Sequence, residues 1–140
     1  MKKLSLTYSL IFLSTTFTVV LMLLTCFPSE DSPEQIIGTP IKIGNLEVAQ
    51  NDFPKGMAWI EAKNACANLG SGWRLPTQDE LDYLYDCYRY DEIGGFTESR
   101  YWTSNRDDTY YIWVKDFVSG ENTFGLISYD ESVRAVRTIN

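Results

Sequence analysis

The segment with the most binding chemistry spans residues 105–111, where amide, guanidinium, carboxylate and phenol side chains are close together in sequence. Asn105, Arg106, Asp107, Asp108 and Tyr110 are its candidate ligand-binding residues. A ligand site typically combines aromatic surface with a few polar groups that fix orientation. Because sugars stack on aromatic rings and hydrogen-bond to carboxylates and amides, this mixture predicts a glycan-binding loop. An ordinary surface loop whose tyrosines cover a sheet is the alternative.

Metal binding and catalysis are the other kinds of chemistry to consider. Asn105, Asp107 and Asp108 could offer hard oxygen ligands of the kind calcium prefers, but an exposed acidic loop is more often solvated, so we expect no metal and no cofactor. The chain contains no histidine, which removes the commonest general base and the usual zinc ligands. The many carboxylates show no apolar pocket that would raise a pKa for paired-carboxylate hydrolysis. We therefore expect no enzyme activity.

Charge and composition narrow the class of partner. The formal net charge is -7, and 44% of the residues are hydrophobic, which is typical of a globular protein. Without Lys2 and Lys3 the chain has 10 basic and 19 acidic residues. This balance disfavours nucleic acid as a partner and disfavours docking on an anionic membrane through a basic face.

The N-terminus predicts export and a lipid anchor. Residues 1–25 form a predicted signal peptide with a positive start and an uncharged stretch from Leu4 to Thr25. Leu23-Leu24-Thr25-Cys26 resembles a bacterial lipobox, which makes Cys26 the predicted lipidation site. The acidic pair after Ser29 is similar to surface-export signals of Bacteroidetes-type lipoproteins. We expect a surface-exposed outer-membrane lipoprotein in a bacterial cell envelope. An uncleaved signal anchor is the alternative, since 22 uncharged residues can cross a bilayer.

The remaining chain divides into a tether and one domain. Residues 26–40 carry three prolines and three acidic residues and predict a tether without a packed core. The domain then covers residues 41–140. Gly72-Trp73-Arg74-Leu75-Pro76-Thr77 predicts a sharp corner, because Thr77 and Glu80 can form a capping box at a helix start. We expect the aromatic ring of Trp73 and the side chain of Leu75 to enter the core.

The other elements follow from periodicity and turn residues. A hairpin around Gly44-Asn45 is followed by two amphipathic helices and then by strands, the second of them apolar on both faces. This order predicts an α+β domain. The predicted hairpin strands are 41–43 and 46–48, the helices Met57–Leu69 and Thr77–Tyr88, and the later strands Arg100–Ser104, Tyr110–Val118, Thr123–Ser128 and Ser132–Thr138.

Four segments, in order, carry a family resemblance. They are Ala62–Leu69, Gly72–Thr77 with Glu80-Leu81, Tyr101–Ser104 and Val133–Arg137. Together they resemble the C-terminal domain family of the Legionella collagen-like adhesin, and secondarily the Fibrobacter-type major paralogous domain. The resemblance implies a C-type-lectin-like fold, with two helices flanking a small, mostly antiparallel sheet. It also implies a binding or adhesion module for a glycan, a polymer or a matrix protein. A structural subunit of a cell-surface complex is the alternative.

The same resemblance bears on arginines and cysteines. Arg74, Arg134 and Arg137 match family positions, and we expect them to have structural roles because buried guanidinium groups need acceptors. Related domains often pair a first-helix cysteine with one in the last strand, where this chain has Ala135. We expect Cys66 to pair with Cys87 instead, as an oxidising compartment favours. Two buried thiols are the alternative.

Overall fold

The computed structural model describes residues 32–139, so the predicted leader, Cys26 and most of the predicted tether lie outside the described residues. Two antiparallel sheets form within this range, with strand orders β1-β2-β6 and β3-β4-β5. The elements are α1 (Pro33–Ile37), β1 (Ile41–Ile43), β2 (Leu46–Val48), α2 (Trp59–Asn68), α3 (Gln78–Arg89), β3 (Arg100–Arg106), β4 (Tyr111–Asp116), β5 (Asn122–Leu126) and β6 (Val136–Thr138).

The packed unit begins inside the segment predicted as a tether. Helix α1 has proline near its start, and its Ile36 is only 1% exposed, in the same cluster as core tryptophans. The amide of Asn51 donates to the carbonyl of Ile36 at 3.1 Å, and that of Gln50 donates to Ile37 at 2.9 Å. The prediction of a tether without a packed core is therefore wrong from residue 33 onward, because a single buried isoleucine anchors this turn of helix.

The first sheet confirms the predicted hairpin and shortens the predicted last strand. Ile41 pairs with Val48, and β2 pairs in turn with β6. Strand β6 covers only Val136–Thr138, although Ser132 and Glu131 form isolated bridges with Tyr101 and Met57. The C-terminal segment thus runs between the two sheets before it joins the first one.

Two helix starts show how backbone pairing and capping set the boundaries. Helix α2 begins at Trp59 and not at Met57, because the amide of Met57 donates to the carbonyl of Glu131 at 3.1 Å. Helix α3 begins with the predicted capping box: the Thr77 amide donates to Glu80 at 2.8 Å, and the Glu80 amide donates to the Thr77 hydroxyl at 3.2 Å. The capping prediction is confirmed.

The second sheet lies between the two main helices. Trp102, Ile112 and Val114 belong to a core cluster with Trp59 of α2, whereas Tyr101 belongs to another cluster, which contains Leu81 and Leu84 of α3. Adjacent strand residues point to opposite faces, so one sheet supplies both clusters. Trp73 and Trp102 are 4% and 0% exposed. The predicted burial of Trp73 is confirmed, as is the α+β, C-type-lectin-like fold class.

The cysteine prediction needs correction. Cys66 and Cys87 are both free and buried. They belong to different core clusters, Cys66 among the residues of α2 and Cys87 among those of α3. The sheet between these helices explains why no Cys66–Cys87 disulfide forms in the structure. Burial raises the pKa of Cys66 to about 12, so this thiol is unreactive in the folded protein.

Candidate functional site

Three aromatic side chains lie together on the outer surface of β4 and β5. Strand pairing sets Trp113 opposite Phe124 and Tyr111 opposite Leu126, and residues that face each other in a ladder share one side of the sheet. The Trp113 and Phe124 ring centroids are 4.2 Å apart, and those of Tyr111 and Phe124 are 6.5 Å apart. We call Tyr111, Trp113 and Phe124 the aromatic face.

Helix α3 covers one end of this side of the sheet. The Lys115 ammonium donates to Asp82 Oδ1 at 2.6 Å and to the Gly120 carbonyl at 2.7 Å, and it lies 4.9 Å from the centre of the Tyr85 ring. Lys115 is buried as a result. The two residues Tyr111 and Phe124 remain 44% exposed, so the aromatic face is the part of this side that solvent and ligands can reach.

The position of β5 depends on a close approach at Gly125. A Cβ at this residue would lie 2.8 Å from the Trp102 indole and 2.9 Å from Val114 Cγ2, closer than real contacts allow. Glycine therefore lets β5 sit directly against the tryptophan. The neighbouring Phe124 points the other way, to the outer surface, because side chains alternate along a strand.

The predicted ligand loop is more structural than the sequence suggests. Asn105 and Arg106 belong to β3, and Asn105 Oδ1 accepts a hydrogen bond from the Gln78 amide at 2.7 Å. The Arg106 guanidinium donates to the carbonyls of Asp108 and Thr109. Asn105 thus ties β3 to the start of α3, and Arg106 closes its own hairpin.

Among the remaining loop residues, Asp108 also has a structural role. Asp108 Oδ1 accepts from the amides of Tyr110 and Tyr111 at 2.6 and 2.8 Å, an arrangement typical of an aspartate that shapes a turn. Asp107 is exposed, and Tyr110 is 65% exposed. Of the five predicted site residues, these two have side chains with no hydrogen-bond partner in the described part of the chain, and Tyr110 directly precedes Tyr111 of the aromatic face in sequence. Among residues 32–139 no three metal-ligating side chains gather into a candidate metal site.

The fully buried Arg134 forms the centre of a network of polar contacts outside the predicted ligand loop. Arg134 is completely buried, and its Nε donates to Asp52 Oδ1 at 2.6 Å. Other guanidinium nitrogens donate to the carbonyls of Ala49, Gln50 and Gly95. We call Arg134 and the acceptors it holds the arginine cluster. It joins three separate loops and leaves no guanidinium nitrogen for a ligand.

Tyrosine and aspartate complete the arginine cluster. The Tyr101 hydroxyl donates to Asp52 Oδ2 at 2.6 Å and accepts from the Thr97 amide at 2.8 Å. Burial raises the pKa of Asp52, against the opposing effect of Arg134. Burial and the nearby Asp52 carboxylate raise the pKa of Tyr101. A neutral tyrosine held this way is a hydrogen-bond donor to the carboxylate and not a nucleophile.

The other two family arginines also meet carboxylates. Arg74 forms two hydrogen bonds of 2.8 Å with Glu80, so the corner at residues 72–77 is fixed to the capping box. Arg137 Nε donates to Glu47 at 2.5 Å and its guanidinium lies 4.9 Å from the Trp73 ring centre. These contacts match the structural roles we predict for them.

A separate groove lies beside α2. It has a volume of about 420 Å³ and is lined mainly by apolar groups, with Lys55 and Glu61 as its charged residues. Its apolar wall consists of Pro33, Phe53, Met57, Ala65 and Leu69. The five predicted loop residues do not line this groove, so it is distinct from the candidate site.

Sequence reasoning missed the two central members of the aromatic face, Trp113 and Phe124. The available signal was positional: Tyr111 and Trp113 stand two residues apart in one strand, and Phe124 follows the turn that ends it. A short turn brings such residues opposite each other on one side of a hairpin. Reading the strand as apolar on both faces concealed the fact that only one face is covered fully.

Comparison with solved structures agrees with the fold. No curated protein matches the chain. Among solved structures, botrocetin aligns with a TM-score of 0.53 and 10% identity, and a complex of botrocetin with a von Willebrand factor A1 domain mutant (I546V) aligns with 0.51 and 9%. Each match covers 72% of this chain and 97% of the other. At such identities the likeness shows the fold alone, which is C-type-lectin-like.

The family assignment rests on a longer and more direct match. The model of the Lcl C-terminal domain matches residues 38–137, a range that contains α2, α3, the second sheet and the arginine cluster. The match begins where α1 ends and stops within β6. The chain belongs to the Lcl C-terminal domain family.

Proposed function

We propose that this chain is a surface-displayed bacterial lipoprotein whose C-type-lectin-like domain binds a glycan, a polymer or a protein without catalysing a reaction. One observation carries the proposal, and it is the exposed aromatic face. Asp107 and Tyr110 lie in the loop that precedes Tyr111 in sequence. Exposed contiguous aromatic surface is uncommon on monomeric domains and marks interaction sites. The Lcl family and the lectin-like fold support a binding or adhesion role at the cell surface.

The chemistry of the face favours contact by stacking and apolar packing. Aromatic residues dominate binding energetics because they bury a large area with little loss of side-chain entropy. The candidate cations near the face are already engaged, since Arg106 closes its loop and Lys115 is paired with Asp82. Together with a net charge of -7, this disfavours a strongly anionic polymer as the ligand.

Binding to an array of glycans and matrix proteins tests the proposal. The protein from residue 27 onward contains all of the described unit, and the variants are Tyr111→Ala and Trp113→Ala. We expect each to weaken binding about tenfold or more, as interface aromatics commonly do. Tyr90→Ala is the matched control, because Tyr90 is 76% exposed but lies at the end of α3, outside the face.

Two results would count against the proposal. One is binding that Trp113→Ala and Tyr90→Ala reduce equally while circular dichroism shows both variants folded. The other is turnover of a substrate by the purified protein. The anchor is tested separately by mass spectrometry of the mature N-terminus, where we expect a lipid-modified Cys26. An unmodified chain that still begins at Met1 would support the uncleaved signal anchor instead.

An assembly role is the second candidate, and a specific observation favours it. Strand β5 lies at the edge of its sheet, in the order β3-β4-β5, and carries Phe124 of the aromatic face. An edge strand presents backbone donors and acceptors that can pair with another chain.

A further inference from the structure

The hydrogen-bonding direction of β5 follows from the two ends of its ladder with β4. The Asp116 amide donates to the Glu121 carbonyl at 2.9 Å, and the Ile127 amide donates to the Tyr110 carbonyl at 2.9 Å. Both contacts fit the continuous antiparallel register of the two strands. In such a ladder, hydrogen-bonded and non-hydrogen-bonded pairs alternate. The residues of β5 therefore alternate: one directs its backbone amide and carbonyl toward β4, and the next directs them away from β4.

That alternation assigns each residue of the strand. Thr123 and Gly125 direct their amides and carbonyls to β4, whereas Asn122, Phe124 and Leu126 direct theirs away from the sheet. The Leu126 carbonyl accepts from the Tyr129 amide. Among the described residues, the backbone groups of Asn122 and Phe124 and the Leu126 amide meet no protein partner beyond the sheet.

From Asn122 to Gly125 this edge lacks the side-chain devices that usually prevent pairing. Natural edge strands carry lysine, proline, inward charges or bulges, but β5 reads Asn-Thr-Phe-Gly-Leu and contains no charge and no proline. Its register with β4 is regular from Tyr111 to Lys115. In a chain of net charge -7, an uncharged strand is a place where two copies can approach without close charge repulsion.

We propose that β5 pairs antiparallel with β5 of a second copy, about a twofold axis at Phe124. Phe124 would face its counterpart and exchange two backbone hydrogen bonds, while Asn122 faces Leu126 on either side. Glu121 would face Ile127, so the register sets no carboxylate against another. A twofold interface of this kind is self-complementary and closed. The proposal rests on the fold and does not depend on the proposed ligand binding.

The pairing also extends the aromatic face. Because paired residues lie on the same side of a sheet, the two Phe124 rings would lie side by side, with Trp113 of each copy beyond them. The dimer would present one aromatic surface across a continuous sheet. Two linked binding surfaces raise the avidity for a repetitive ligand, which suits a displayed binding module.

Analytical ultracentrifugation of the protein from residue 27 onward tests the dimer, with Phe124→Pro and Phe124→Val as paired variants. Both lose the ring, but only proline removes the outward amide, which β4 does not use. Proline is tolerated at a sheet edge for this reason. We expect a dimer for the wild type and for Phe124→Val, and a dissociation constant raised about tenfold or more by Phe124→Pro.

Hydrogen exchange gives a readout that does not depend on the variants folding. The Phe124 amide of the wild type should become more protected as protein concentration rises, whereas the Thr123 amide stays unchanged. A monomer at all concentrations would overturn the proposal. So would a dimer that Phe124→Pro and Phe124→Val weaken equally, which would place the contact on the ring and not on the backbone. A wild-type protein that is dimeric but binds no glycan, polymer or matrix protein would instead count against the proposed function alone.

Discussion

The arginine cluster and the aromatic face use similar side chains in opposite ways. At the cluster, Phe96 stacks on Phe117 with centroids 4.6 Å apart, and the Arg134 guanidinium lies 4.2 Å from the Phe96 ring centre. At the face, Trp113 and Phe124 make a contact of similar length, 4.2 Å, but Phe124 remains 44% exposed. The difference lies in cover, because the residues of the cluster are enclosed by loops and those of the face are not.

This contrast shows where binding capacity remains after folding. Arg134 donates to Asp52 and to three carbonyls, so the fold itself uses the whole guanidinium. Buried charges need such partners to be tolerated. The aromatic face has no such requirement, because its rings are uncharged and need no charged partner. The hydrogen bonds of Arg134 therefore stabilise the fold, and the exposed aromatic rings are the groups that remain available for binding.

The largest expected effect is on the cluster. Arg134→Met keeps most of the volume but leaves Asp52 and three carbonyls without their donor. Removing one partner of a buried ion pair commonly costs about 3–5 kcal/mol, and we expect that loss in the free energy of unfolding measured with urea. Arg89→Met is the control, because Arg89 is exposed and should change stability by less than about 0.5 kcal/mol. A loss at Arg134 as small as at Arg89 would mean that the cluster does not hold its loops together.

A phenylalanine in each region gives a closer comparison. Phe96→Ala removes a ring that is 8% exposed and packed between Phe117 and Arg134, and truncation of a buried phenylalanine costs about 3 kcal/mol or more. Phe124→Ala removes a ring of the same size from the aromatic face, and we expect a loss of about 1 kcal/mol, mainly its contact with Trp113. Equal losses in urea unfolding would contradict the distinction between a covered and an uncovered region.

Gly125 and Phe124 allow the same comparison at two adjacent residues of β5. A side chain at position 125 would face the core, whereas Phe124 faces outward. Gly125→Ala places a methyl group against Trp102 and Val114, and overpacking of this kind costs about 1–3 kcal/mol. Phe124→Thr, one position away on the outer side, should cost less, since threonine suits a strand. Thermal unfolding of both variants measures the difference, and a more harmful Phe124→Thr would show that the outer ring supports the fold.

Much of this arrangement could be predicted from local sequence. The Thr77–Glu80 capping box, the hairpin at Gly44-Asn45 and the burial of Trp73 depend on neighbouring residues or on a strong preference for the core. The aromatic face depends on which side of a strand the helices cover, a tertiary property. Periodicity shows that Trp113 and Tyr111 share a side but cannot show that α3 ends its cover near Lys115.

The remaining differences between sequence and structure arise from contacts that no sequence pattern shows. The loop over residues 105–110 has polar side chains suited to a ligand, but Asn105 and Asp108 satisfy nearby backbone amides. Cys66 and Cys87 are placed on helices whose distance in space no sequence pattern reports. Ile36 lies in a polar stretch of sequence, and only the folded structure shows the core contacts that bury it. Except for the turn at Asp108, each case concerns residues far apart in the chain.

The smallest expected effect separates the arginine cluster from the Arg74–Glu80 pair at the start of α3 by the sign of their pH dependence. Asp52 in the arginine cluster has a pKa raised by burial above its ordinary value of 3.8. As pH falls from 7 toward 3.8, the folded protein therefore takes up this proton before the unfolded chain does, and the wild type gains stability relative to Asp52→Asn. Glu80, at the α3 start that Asn105 joins to β3, behaves oppositely. Burial raises its pKa, but hydrogen bonds from Arg74 and Thr77 outweigh burial and lower the pKa below 4.5.

For Glu80 the unfolded chain takes up the proton first, so the wild type loses its advantage over Glu80→Gln as pH falls through 4.5 and below. Urea unfolding of the wild type and both variants at several pH values gives two differences in the free energy of unfolding, which should change with opposite signs. Each variant serves as the control for the other, since both lose one carboxylate charge. Differences that change with the same sign would mean that Arg134 stabilises the Asp52 carboxylate more than burial destabilises it, and that the two ion pairs are alike despite their unequal cover.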